Sequence, residues 1–156
     1  MQKRLIEKLA ENKRHMLMSE IKKKLVPCVE RGFTYRFADL AQSKQLLELV
    51  LSNSIPANTR EVDALEKTEA KQLIWKISQS YVAYDDRDVL LFHQYSSEIG
   101  ALISSFGKCL EHLDGIFECI GFDKGLLNHS FILVEPKGQF GLCILHTEYG
   151  CEVVYW

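Results

Sequence analysis

The segment FHQYSSEIGALISSFGKCLEHLDGIFECI, residues 92–120, decides how this chain is read. Phe92, Ile99, Phe106, Leu113 and Ile120 recur every seven residues. Tyr95, Leu102, Cys109 and Ile116 recur three residues further on, and Ile103, Leu110 and Phe117 follow that second set by one. Such a/d/e spacing puts a broad apolar stripe on one side of a helix and leaves Gln94, Ser97, Ser104, Lys108, Glu111 and Glu118 in water. No proline interrupts it, so the spacing predicts one unbroken helix about 45 Å long. A stripe wider than an a/d seam implies burial against several neighbours.

Outward from this segment, three further helices are predicted. Residues 3–25 carry a loose stripe of Leu5, Ile6, Leu9, Met16, Leu17, Ile21 and Leu25, broken by Lys13 and stopped by Pro27. Residues 27–36 read as loop or extended chain. Residues 37–51 form a second helix with Phe37, Leu40, Leu47 and Val50 or Leu51 on one side, closed by the turn signal at residues 52–56. The third begins with Thr59 as N-cap and Glu61 in its first turn and runs to Tyr81, with Ala70, Leu73, Ile74 and Ile77 on its inner face and Trp75 on the other. Asp85 or Asp86 would cap the long helix, and Gly121 would end it.

Past residues 122–128 the composition changes. Residues 130–156 are rich in Phe, Ile, Leu, Val and Tyr, with turn signals at 136–138 and 148–150. They read as an antiparallel meander with strands at about 130–135, 139–147 and 151–156. With three-residue loops, Val134 faces Phe140, Ile132 faces Leu142, Ile144 faces Val154 and Leu142 faces Trp156. Both sheet faces are apolar, so helices or a second molecule must cover them. The fold class expected is α+β in a single domain over 1–156: a bundle-like helical body over 1–121 with one long central helix, and a C-terminal three-stranded antiparallel sheet over 130–156. A helix that long overhangs a body whose radius of gyration is roughly 15 Å. Unless the helix bends near Gly107, the overhang calls for a homodimer.

Composition fits this class. Of 156 residues, 47% are hydrophobic and 26% charged, as in an ordinary globular domain, and no apolar run is long enough for a membrane span. The N-terminus lacks the apolar core of a signal peptide, and five cysteines, an odd number, point to reduced thiols in a cytoplasmic protein. Charge is segregated. Residues 1–26 hold eight Lys and Arg against three Glu, a net of +5, so with −2 overall the remainder carries −7.

Motifs that would define an enzyme are missing: there is no P-loop, dinucleotide fingerprint, HExxH or GxSxG. Cys109, His112 and Cys119 lack the second ligand pair that zinc requires. Asp85, Asp86 and Asp88 lack the glycine and terminal Glu of a calcium loop. Cys143, His146 and Cys151 offer a thiol and an imidazole near Glu148, but the expected register puts His146 on the face opposite both cysteines. The strands carry no interleaved cations for stacking on RNA, and residues 37–51 lack the turn of a DNA-reading motif. No cofactor is implied.

The reading left is a small cytosolic protein-binding module: an inhibitor, immunity protein, antitoxin or regulator rather than an enzyme. Its acidic body would meet another, basic protein, such as a toxin or nuclease, through Asp85, Asp86, Asp88, Glu148 and Tyr149. One alternative is a nucleic-acid or anionic-surface binder acting through Lys3, Arg4, Lys8, Lys13, Arg14, Lys22, Lys23 and Lys24. The other is a thiol enzyme using Cys143 or Cys151 with His146.

Overall fold

The computed structural model of the chain describes residues 1–52, 55–120, 122–123, 126–127 and 130–156. It is α+β, but its main sheet has seven strands rather than three. In chain order the elements are α1 (Gln2–Glu30), β1 (Arg36–Phe37), α2 (Leu40–Leu51), β2 (Asn58–Val62), α3 (Lys67–Ser78), a 3-10 helix (Gln79–Tyr84), β3 (Asp88–Leu91), α4 (Ser96–Ile99), β4 (Leu102–Ser105), α5 (Phe106–Glu111) and α6 (Leu113–Ile120). The short hairpin β5 (Phe122–Asp123) and β6 (Leu126–Leu127) follows, and then β7 (Phe131–Val134), β8 (Gly141–Thr147) and β9 (Gly150–Tyr155). The sheet order is β1-β4-β3-β7-β8-β9-β2, and every pair is antiparallel.

The long central helix does not exist. Its segment begins just after β3 and supplies α4, β4, α5 and α6. The stripe was real as burial: Phe92, Ile99, Leu102, Ile103, Phe106, Cys109, Leu110, Leu113, Ile116, Phe117 and Ile120 are all buried. What misled is that β3 and β4 are interior strands. Leu90 and Leu91 face opposite layers, as do Leu102 and Ile103, so these strands are apolar on both sides and show no period of two. Gly100 then forbids a helix. It has φ +88°, and a Cβ there would run into the Ala38 carbonyl. Helical structure resumes at Phe106, where Ser105 caps α5 by accepting from Lys108 N at 3.4 Å. The bend falls at His112, not Gly107.

Other boundaries move as well. The chain does have a 29-residue helix, but it is α1, which continues through Pro27 to Glu30. Proline removes one backbone bond; burial of Ile21, Leu25 and Cys28 on the same face offsets that loss. Phe37 lies in β1, and α2 starts later, with the Asp39 carboxylate accepting from Gln42 N at 3.1 Å. Thr59 and Glu61 belong to β2, not to a helix start. α3 begins after Glu66, which forms a reciprocal capping box with Glu69. Asp85 and Asp86 do not open a helix: they sit in the turn before β3, where Asp85 is the C-cap of the 3-10 helix. The cap assigned to Gly121 lies outside the described residues.

Helices cover both faces of the sheet. One face packs Val89, Leu91, Phe131, Leu133, Leu142, Ile144 and Val153 under α1, α3, α5 and α6; the other packs Leu90, Ile132, Val134, Cys143, Leu145 and Val154 under α2. The three C-terminal strands lie close to their expected positions, yet β8 is shifted by one residue against both neighbours. Leu133 pairs with Leu142, and Ile144 with Val153. The first turn closes one residue wider than expected, because the buried Glu135 carboxylate accepts from Lys137 N at 2.8 Å and Gln139 N at 3.1 Å. The second closes one residue tighter, with Thr147 opposite Gly150. A one-residue slip exchanges the faces of a strand, so Leu142 and Ile144 join the Phe131 face.

Candidate functional site

Of the expected contact residues, Glu148 and Tyr149 form the two-residue turn between β8 and β9. Asp85, Asp86 and Asp88 lie at the other end of the sheet. There Arg87 Nη1 donates to Gln139 Oε1 at 3.1 Å, beside the β7–β8 turn, and Asp88 is paired with Arg36 at 3.6 Å. The seven residues of β8 separate the two groups by roughly 20 Å. The five residues therefore do not make one surface.

The hairpin end has the more developed site. β9 is flanked on its outer side by β2, which is the edge of the sheet. Asn58–Val62 stays pinned to β9 in a five-residue ladder, from Asn58 opposite Tyr155 to Val62 opposite Cys151. Gly150 lets the two strands close: its φ is +150°, and a Cβ there would come within 2.5 Å of the Val62 carbonyl. Where β2 leaves the sheet toward α3, it and the hairpin enclose an open cleft of about 560 Å³. Arg60, Glu61, Val62, Asp63, Cys151 and Glu152 line it together with Tyr149, which is 89% exposed; Glu61 and Glu152 project from one face of the ladder and Arg60, Val62 and Cys151 from the other.

The cleft is electrostatically unbalanced. Glu61 and Glu152 are direct partners across the ladder, and like charges so placed repel. Asp63 and Glu148 add to the negative charge, with Arg60 the cation in the lining. Among the described residues, no ion pair within 4.0 Å engages any of these five. The outer edge of β2 presents backbone donors and acceptors that its own sheet does not use. An arrangement of this kind suits an extended, cationic segment that adds a strand and neutralises the carboxylates.

The thiol constellation is arranged differently from expectation. The tighter turn makes His146 and Cys151 ladder partners, so they share a face. The thiols are nonetheless unsuited to nucleophilic work. Cys151 is 2% exposed, and burial raises its pKa against the opposing effect of the Leu65 backbone. Burial pushes Cys143 further up, and Cys109 and Cys119 to about 12. An active thiol needs the opposite shift. Among the described residues, no three of His, Cys, Asp and Glu converge as a metal site requires.

Sequence reasoning found Glu148 and Tyr149 but missed Arg60, Glu61, Asp63 and Glu152. The signal was the run Asn58–Val62, whose Thr and Val suit a strand; Thr59 and Glu61 also resemble the opening of a helix. The chain belongs to the YxiF protein family, which it matches over residues 17–156. Along its whole length, at 90% identity over 156 residues, it is similar to a protein of Bacillus subtilis (strain 168) described as uncharacterized protein YxiF, all of which the match covers. No solved structure matches it.

Proposed function

We propose that this chain is a small cytosolic protein-binding module of the inhibitor, immunity or regulatory kind, and that its partner is a basic protein held at the acidic edge cleft. The observation that carries the reading is the opposition of Glu61 and Glu152 on an edge ladder with no neutralising ion pair among the described residues. Such an arrangement costs the free chain a little stability, and a cation from a partner returns it. Tyr149 at the rim supplies the exposed aromatic that interfaces favour. Five free, buried cysteines are consistent with a reducing compartment.

An extended peptide of alternating lysine and valine serves as the probe. Backbone amide shifts on titration should concentrate in Asn58–Val62 and Gly150–Tyr155 and weaken steeply with salt. Shifts confined to Asp85–Asp88, or insensitive to Glu61→Lys with Glu152→Lys, would overturn the reading.

A further inference from the structure

The overhang expected of the central helix exists, but α1 provides it. Residues 1–16 are exposed throughout; partial burial begins at Leu17, where the family match also begins, and the first fully buried residue is Ile21. About 24 Å of helix therefore stands outside the core. It carries Leu5, Ile6, Leu9 and Met16 at 59%, 65%, 59% and 71% exposure. Four turns of isolated helix are marginal in water, and grouped apolar side chains of this size mark a docking face.

At about 100° per residue, Met1, Leu5, Leu9 and Met16 fall within about 80° of one another, and Ile6 widens the sector to about 140°. Arg4 and Lys8 flank one side. Gln2, Asn12 and Lys13 fall within this sector, Lys13 between Leu9 and Ile6 and drawn to Glu98 at 3.1 Å. Ile21 and Leu25, which face the body, come at about 160° and 200° from Leu5. The Leu5 side of the sector thus looks away from the core, with Lys23 continuing its line toward the body, while the Ile6 edge shares the bearing of Lys13 and Glu20, which reach Glu98 and Tyr95 beside α4.

We infer that residues 1–16 dock in the plane of an anionic lipid surface, with Leu5, Leu9 and Met16 in the acyl boundary and Arg4, Lys8 and Lys23 among the headgroups. Among the described residues, no helix is long and apolar enough to cross a membrane, so the helix lies on the surface. Charge selects this occupant. The arm holds five Lys and Arg against Glu7 and Glu11, so two arms side by side would repel, which disfavours a second copy. Nucleic acid would leave the apolar sector unused, and Glu7 and Glu11 would oppose it beside Lys3 and Arg14. Anionic headgroups above an apolar layer satisfy both faces.

The test is co-sedimentation of the full chain with phosphatidylcholine vesicles containing about 30% phosphatidylglycerol, against pure phosphatidylcholine. The wild-type chain should pellet with the anionic vesicles, at least about tenfold better than with neutral ones. Leu5→Glu with Leu9→Glu should lose that binding with no change in thermal midpoint, while Glu61→Lys with Glu152→Lys should keep it. Failure of the wild-type chain to pellet, or equal pelleting by Leu5→Glu with Leu9→Glu, would overturn the inference. So would a two-chain mass or retention of duplex DNA in place of vesicle binding.

Discussion

Glu61 on β2 and Glu152 on β9 stand directly opposite each other across an antiparallel ladder. In the free protein this pair is a small liability. Glu61→Lys should raise the unfolding free energy by a few tenths of a kcal/mol to about 1 kcal/mol, read as a higher urea midpoint, because it turns repulsion into attraction. A lowered midpoint would mean that the two carboxylates do not meet.

Gly100 joins α4 to β4 at φ +88°, with the Ala38 carbonyl where a side chain would begin. Gly100→Ala should cost about 2 kcal/mol or more, combining backbone strain with a displaced Ala38. A central helix through residues 92–120 would gain from the same change, so equilibrium unfolding of this one variant separates the two architectures.

That contrast also shows how much of the fold was legible. The core was: Phe106, Ile116 and Phe117 were assigned to it from spacing alone and are fully buried. Secondary structure around residues 88–120 was not, because interior strands such as β3 and helices buried on several sides have the same continuous apolar character, whereas α1, α2 and α3 lie within or overlap the expected helices. The C-terminal strands were legible from β-branched and aromatic runs between turns. Their register was not, since it hangs on the Glu135 carboxylate gripping Lys137 N and Gln139 N. Half of the candidate site followed the same pattern. Glu148 and Tyr149 announced themselves at a turn, whereas Glu61 and Glu152 meet only through a pairing that sequence does not write down.

His93 should make stability depend on pH. It is 8% exposed, with Nε2 2.9 Å from the Gly100 carbonyl and Nδ1 accepting from Tyr95 N at 3.2 Å. Burial lowers its pKa from 6.5 to about 4, against the Gly100 bond that raises it. Between those values the unfolded chain binds the proton and the native chain does not. The stabilisation is complete above pH 6.5 and is lost as pH falls toward 4. From pH 7 to 5 the unfolding free energy should drop by about 2 kcal/mol, and His112, also lowered by burial, acts in the same direction. His93→Gln should flatten the slope; an unchanged slope would mean that His93 titrates normally.

All five cysteines are buried and free. Thiol-reactive dye at neutral pH should label none of them quickly in the native chain and all of them in denaturant. If Cys151 reacted as fast as a model peptide thiol, its pairing with His146 would become a catalytic arrangement.

The central claim is that a basic protein occupies the edge cleft, and it is tested most directly by photocrosslinking in the cells that make the chain. A photoreactive side chain replaces Tyr149, and in a parallel strain Asp86. The account predicts a crosslinked adduct from position 149 to one basic protein, lost on Glu61→Lys with Glu152→Lys, and none from position 86. An adduct from position 86 alone, or one from position 149 that survives the charge reversal, would contradict it.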